Sequence, residues 1–195
     1  MKELLFIRHA ETDMAGTFCG HSDPPVNQAG YAQISGLLAT LQAAPISAVF
    51  TSDLQRASNT AAPLAHSLSV PLTTRKALRE IDFGAWEGLT WKQIEALNPA
   101  LSTQWLEAFP HSTPPQGESF EAFETRVMDE MNYLLGQPHC RLIAVVTHAG
   151  VMRVVLRNLC GVDEAATWTI TKPHCCTFKY VPEAPDGMRL QEVLG

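Results

Sequence analysis

The chain has 195 residues, of which 46% are hydrophobic and 17% charged, and its formal net charge is −6 at pH 7. That mix argues against disorder, the acidic balance argues against a general nucleic-acid-binding surface while leaving room for a local basic pocket, and no apolar run approaches the roughly 20 residues of a membrane-spanning helix. With no linker in sight, one domain over residues 1–195 is expected, and a domain of this size buries roughly 70% of its unfolded surface without a disulfide or metal staple.

The first apolar run, Leu4–Ile7, is too short for a signal peptide and stops at Arg8 and His9, so it reads as a short buried strand. Asn27 is placed to cap a helix whose apolar positions, Tyr31, Ile34, Leu37, Leu38 and Leu41, keep the spacing of one helical face. Ile46–Phe50 predicts a second strand ending at Thr51-Ser52, after which Asp53 is expected to cap a helix running to about Leu68. Pro71–Leu78 is expected to be extended. From Asp82 to Gly117 glycines and prolines punctuate the chain, with Trp86, Trp91 and Trp105 among them, and residues 82–118 are expected to form a small helical cap. Ser119 then caps a long amphipathic helix presenting Phe120, Phe123, Val127, Met131 and Leu134. Leu142–Val146 is the most uniform strand signal. It ends at Thr147-His148, and Gly150 leads into a helix through Leu159. Thr177–Val181 and Met188–Val193 are expected as late strands.

The five cysteines, Cys19, Cys140, Cys160, Cys175 and Cys176, are odd in number and lack zinc-like spacing. Cys175 and Cys176, read as strand residues, would point to opposite faces. A reduced cytoplasmic protein without a metal site is expected. Strands alternating with helices imply an α/β three-layer sandwich, with a mostly parallel central sheet and helices on both faces. The Walker A sequence and the Gly-rich dinucleotide fingerprint are both absent. The chain carries no heptad pattern from which an oligomeric state could be read.

Three predicted strands end in cationic or titratable groups: Arg8-His9, Ser52-Asp53 followed by Arg56, and His148. Ligands of open α/β sheets bind beyond the carboxyl ends of the strands, so these groups would face one crevice. Singly, each has an ordinary explanation: Arg8 as a surface ion-pair partner, His9 as a loop residue, Arg56 as a partner of Asp53, His148 as a core histidine. Together, two arginines and two histidines suit an anion with several oxygens, above all a phosphate, whose geometry guanidinium forks match. Helices beginning after Ser52 and Ala149 would aim N–H groups at the same point. A neutral imidazole there can attack phosphorus and carry the phosphoryl group covalently, while the cations offset charge on the equatorial oxygens. Glu80 is a candidate proton donor for the leaving oxygen, although spacing alone favours a solvated loop carboxylate.

These residues resemble a known family. Arg8-His9-Ala10-Glu11-Thr12 is similar to the signature of the histidine phosphatase superfamily, the phosphoglycerate mutase-like proteins. The similarity continues in order through Phe18-Cys19-Gly20, Pro25–Gly30, Ser52–Ala57 with Thr60, Leu78–Gly84 followed by Trp86-Glu87-Gly88, and Thr147–Val151. The resemblance implies a phosphomonoester hydrolase in which His9 is the nucleophile and Arg8, Arg56 and His148 hold the phosphoryl group. It makes Glu80 the general acid and then the base for water, places Thr12, Gly20 and Ala149 at the substrate, and requires neither metal nor cofactor. Two positions depart from the pattern. Ala10 stands where the family usually has glycine, and is accommodated only if φ there is not positive. Ala15 stands where an asparagine amide commonly touches the phosphoryl group, so that bond is missing or supplied by Thr12 or Ser22.

Asp82–Gly88, Pro115–Ser119 with Phe123 and Arg126-Val127, and the compact length are most similar to the members that remove the 5′-phosphate of α-ribazole phosphate, or of adenosylcobalamin 5′-phosphate, in cobalamin nucleotide-loop assembly. Between Glu80 and His148 the fixed cations are Lys92, Arg126 and Arg141, which favours a small-molecule monophosphate and water as acceptor. Trp86, Trp91, Trp105, Phe83 and Phe109 are expected either to wall a pocket for a flat base or to form the core of the cap. The alternatives are a broad-specificity or sugar-phosphate phosphatase of the same fold, and a non-catalytic phosphate-binding regulator. Neither a nucleic acid nor a membrane is expected as partner.

Overall fold

The computed structural model describes residues 2–108, 112–138, 141–182 and 188–189. Its six-stranded sheet consists of β1 (Glu3–Arg8), β2 (Ile46–Thr51), β3 (Leu72–Thr74), β4 (Leu142–Thr147), β5 (Thr177–Tyr180) and β6 (Met188–Arg189), in the order β3-β2-β4-β1-β5-β6. The first four strands run parallel, β5 is antiparallel to β1, and β6 is antiparallel to β5.

The two-residue period of a strand divides the core into two layers. Leu4, Phe6, Ala48, Phe50, Ile143 and Val145 face α5 (Phe120–Gly136) and α6 (Ala149–Cys160), meeting Phe123, Val127, Met131, Val151 and Val155. Leu5, Ile7, Val49, Ala144 and Val146 face α1 (Gln28–Leu41) and α2 (Gln55–Leu68), meeting Leu37, Leu41, Ala57, Ala61 and Leu64. Every residue of β4 is buried, as suits an inner parallel strand covered on both sides. The expected three-layer α/β sandwich is the observed one.

Local signals set two helix starts as expected. The Asn27 side chain accepts the Gly30 N–H at 2.9 Å, and Ser119 accepts that of Ala122 at 3.2 Å; such caps contribute about 1 kcal/mol each. Tyr31, expected on the apolar face of α1, is instead 55% exposed. Asp53 does not cap α2, which begins at Gln55 after an extended Leu54. The Arg79 guanidinium grips both Asp53 oxygens at 2.7 and 2.6 Å, and two charge-assisted bonds outweigh a single capping bond. The segment Pro71–Leu78 is not continuously extended, since β3 is short and Lys76–Leu78 forms a 3-10 turn. Cys175 precedes β5 rather than lying on it, with φ of 56°; its side chain nevertheless packs with the α1/α2 layer while Cys176 is buried in the α5/α6 layer.

Residues 82–118 hold a 3-10 turn at Gly84–Trp86, then α3 (Trp91–Leu97) with a Thr90/Gln93 capping box, then α4 (Pro99–Ala108), which starts on a proline as helices often do. One further helix, α7 (Glu164–Thr171), lies between α6 and β5 and was not anticipated. Its signals were present: Gly161 closes α6 at φ 66°, and the Asp163 side chain accepts the Ala166 N–H at 2.9 Å. Phe109, Cys140 and residues 190–193 of the last expected strand lie outside the described residues. Among the described residues no helix is long and apolar enough to cross a membrane.

Candidate active site

Strand pairing itself brings the three expected strand ends together. The His9 N–H donates to the Thr147 carbonyl at 2.9 Å and the Ser52 N–H to the Val146 carbonyl at 3.1 Å. The His9 and His148 rings stand 5.1 Å apart, tilted by 55°. His9 Nδ1 lies 2.7 Å from the Ala10 carbonyl, which can only accept, so Nδ1 carries the proton and Nε2 keeps its lone pair. Burial, then the Arg56 and Arg8 charges, hold His9 well below its ordinary 6.5, so its ring is neutral near pH 7. His148 is lowered in the same way by burial, Arg56 and His9.

Arg56 is buried on the first turn of α2, where its terminal nitrogens donate to the carbonyls of Ser22 (2.7 Å), Gly20 (2.7 Å) and Cys19 (3.1 Å). The ion pair with Asp53 considered from sequence does not form, because Asp53 is held by Arg79. Arg8 donates to the carbonyls of Thr171 (2.9 Å) and Lys172 at the end of α7. Arg8 Nε, Arg56 Nε and both ring nitrogens of His148 are buried without a hydrogen-bond partner. An unsatisfied buried polar group costs about 1–3 kcal/mol, so such atoms converging on one crevice are suited to a multi-oxygen anion.

Glu80 stands at the edge of this crevice and is nearly buried. Its Oε2 accepts the Gly150 N–H at 2.9 Å, and Oε1 accepts the Ile81 N–H at 3.0 Å. A Cβ on Gly150 would lie 2.0 Å from Glu80 Oε1, so only glycine allows this approach. Arg126 fastens the segment beneath by donating to the carbonyls of Ala77, Arg79 and Glu80 while it grips Glu118 at 2.7 and 2.8 Å. Glu80 is therefore not the solvated carboxylate that spacing suggested. The helix starts are also occupied differently from the expectation, since the Gly150 N–H serves Glu80 and the Gln55 N–H serves Asp23.

The remaining expected site residues take separate places. Gly20 turns its N–H to both Glu87 oxygens at 3.1 Å and its carbonyl to Arg56. A Cβ there would lie 2.1 Å from the Ile81 carbonyl oxygen, so Gly20 shapes the Arg56 cradle by close packing. Glu87, a role the sequence reading missed, also accepts the N–H groups of His21, Ser22 and Phe83 and so ties the cap to that cradle. Burial pushes the Glu87 carboxyl up, but these bonds hold it below its ordinary value. Thr12 is buried, pairs with Val26 in an isolated bridge and accepts the Met14 N–H at 3.3 Å. Ala149 is buried at the start of α6. Ala10 is fully buried with no positive φ, and its N–H donates to Thr60 Oγ1 at 2.9 Å, so the missing glycine carries no backbone strain. Ala15 is exposed at a turn.

Beyond Glu80 opens a cavity of about 560 Å³. Phe18, Phe83, Trp91 and Trp105 line one side, and Phe120, Phe123, Arg153, Arg157 and Trp168 line the other. Trp86 instead is buried within the cap, edge-on to Phe18 and Trp105 at 5.9 and 5.5 Å. The two readings of the aromatics thus divide by residue. Sequence reasoning missed Trp168 and Arg153, whose guanidinium lies 3.4 Å above the Trp168 ring. Burial lowers Arg153 to about 10, which leaves it charged at neutral pH. Counting cations only between Glu80 and His148 overlooked Arg153 and Arg157. Among the described residues no three His, Cys, Asp or Glu side chains gather as metal ligands would.

The family model of the histidine phosphatase superfamily (branch 1) matches residues 4–192. The chain is 29% identical over 167 residues to an adenosylcobalamin/α-ribazole phosphatase of Salmonella typhimurium, covering 85% of this chain and 83% of that protein. It is 27% identical over 172 residues to phosphoserine phosphatase 1 of Hydrogenobacter thermophilus, covering 87% and 81%. The crystal structure of the α-ribazole phosphatase of Shigella flexneri superposes with a TM-score of 0.85 at 26% identity, over 97% of this chain and 94% of that one.

Proposed function

The chain belongs to the histidine phosphatase superfamily and is a phosphatase acting on a small phosphate ester, and from that membership we propose that it removes the 5′-phosphate of α-ribazole phosphate, or of adenosylcobalamin 5′-phosphate, through a phosphohistidine at His9. The observation that carries this reading is the position of Glu80, on the wall between a cationic crevice and an aromatic cavity. A phosphate fits on one side of it and a flat, largely apolar leaving group on the other.

In the first step His9 Nε2 attacks phosphorus, forming the N–P bond as the bond to the ribose 5′-oxygen breaks. Arg8, Arg56 and His148 hold the equatorial oxygens, and the bound anion draws His148 back towards its protonated form. Glu80 gives its proton to the departing 5′-oxygen. In the second step the Glu80 carboxylate takes a proton from water, which attacks the phosphohistidine, returns His9 to its starting state and releases phosphate. Arg8 and Arg56 supply the positive charge.

A second reading is a phosphatase for small polar leaving groups, as the Hydrogenobacter relative's name indicates for that protein. The aromatic walls favour the first. The test compares kcat/KM for α-ribazole 5′-phosphate, phosphoserine, sugar phosphates and p-nitrophenyl phosphate. A preference of at least about 10²-fold for α-ribazole phosphate over phosphoserine is expected, equivalent to about 2.7 kcal/mol of differential transition-state binding. Equal values across the panel would assign a broad phosphomonoesterase instead.

A further inference from the structure

The arginines divide by partner. Arg75, Arg79, Arg126 and Arg157 each pair with a carboxylate. Arg8, Arg56 and Arg153 have no carboxylate partner among the described residues. Arg56 is committed to the carbonyls of its cradle, but Arg8 and Arg153 also face a second cavity of about 570 Å³, on whose wall stand Lys172, His174 and Trp168. Lys172 likewise has no ion pair among the described residues.

This cluster is held in place. Arg8 is fixed by the carbonyls at the end of α7, and Arg153 by its bond to Thr171 Oγ1 at 3.0 Å and by the Trp168 ring. The nearby carboxylate Glu11 lies 3.9 Å from His174 and receives bonds from Gln33 and Asn27. Like charges so arranged repel one another: burial lowers the basicity of Arg153 most, and Arg8 adds to that against the opposing pull of Glu80 and Glu164, which stand on the side of the aromatic cavity. An anion among them relieves that repulsion and gains charge-assisted bonds. Arg8 is shared with the phosphate crevice, and the His174 ring lies 5.5 Å from that of His9.

We propose that this second cavity is a subsite for a second anionic group, a phosphate or phosphodiester, borne by the same substrate molecule whose monoester reacts at His9. With the His174 ring 5.5 Å from that of His9, the two sites are within reach of one small molecule, such as a ribose bearing both groups. This rests on the assignment of His9 as the phosphorylated residue and adds to it the class of molecule preferred.

Binding to His9→Ala protein, measured by calorimetry, separates the cavity from turnover. The probes are adenosine 5′-monophosphate, adenosine 3′,5′-bisphosphate and inorganic phosphate. The bisphosphate is expected to bind at least about 10-fold more tightly than the monophosphate. Lys172→Met removes the exposed side-chain charge, introduces no carboxylate beside Arg8 and keeps the backbone carbonyl that Arg8 uses; it should abolish that advantage and change monophosphate binding less than about 2-fold. Equal affinities, or an advantage that survives Lys172→Met, overturn the proposal. Binding of a second equivalent of inorganic phosphate that is lost in Lys172→Met would assign the cavity to a free anion and also overturn it. Failure of the α-ribazole reading is scored separately, by the turnover panel on the unmutated enzyme.

Discussion

His9 and His148 are the residues next after β1 and β4, and the sheet ladder sets them side by side with backbone hydrogen bonds. The aromatic cavity across Glu80 has no such frame: its walls are side chains from the cap and from α5, α6 and α7, held by packing and by a cation over a ring. In the proposed reaction the backbone-placed crevice meets the same phosphoryl group in every substrate, and the cavity of packed side chains meets only the leaving group. Damage to the first should therefore appear with all substrates, and damage to the second should depend on the leaving group.

The largest expected effect is in the crevice. His9→Ala removes the covalent route, and kcat should fall by at least about 10⁴-fold for α-ribazole phosphate and p-nitrophenyl phosphate alike, with the circular dichroism spectrum unchanged. Wild-type kcat in that variant would end the phosphohistidine mechanism.

Glu80, standing between the two regions, should give a mixed result. Glu80→Gln cannot protonate the leaving oxygen, and general acids contribute roughly 10²–10⁴-fold. Single-turnover phosphorylation of His9 should lose that factor with α-ribazole phosphate, whose alkoxide leaves poorly, and far less with p-nitrophenyl phosphate. An equal loss with both would pass the acid's role to another carboxylate, such as Asp82, since Glu87 is held ionised by the N–H groups it binds.

In the cavity, Trp105→Ala removes a ring from the wall. KM for α-ribazole phosphate should rise about 10-fold, in line with roughly 1–1.5 kcal/mol of lost aromatic contact, and kcat/KM for p-nitrophenyl phosphate should stay within about 3-fold. A parallel loss on both substrates would show that the cap supports the crevice itself.

The smallest effect concerns stability. His174 has its proton affinity lowered to about 4, first by burial and then by Arg8, against 6.5 when unfolded. Between those values the unfolded chain binds a proton that the folded site refuses, so this contribution is complete above pH 6.5 and is lost as pH falls towards 4. It should be on the order of 1 kcal/mol for this partly exposed ring. Urea midpoints at pH 7.5 and 5 should therefore fall less in His174→Gln than in the wild type, and equal falls would remove His174 from the account.

Periodicity along the chain was enough to place the layers, because each strand residue chooses its face by parity and each helix by its apolar stripe. The rule that ligands meet parallel strands at their carboxyl ends picks out Arg8, His9, Arg56 and His148 from the sequence. Asp53 shows the limit of local signals: its capping propensity was real, but the Arg79 fork, 26 residues away, won. Glu80 could not be told from a solvated carboxylate, because its partner Gly150 lies 70 residues further on and Arg126 comes from another helix. The family resemblance assigned its role where spacing did not. Arg153, Trp168 and Lys172 had no motif at all. Arg153 and Lys172 stand out only because they lack a carboxylate partner among the described residues, and Trp168 because its ring lies under Arg153; both depend on side-chain pairing across the chain rather than on any stretch of it.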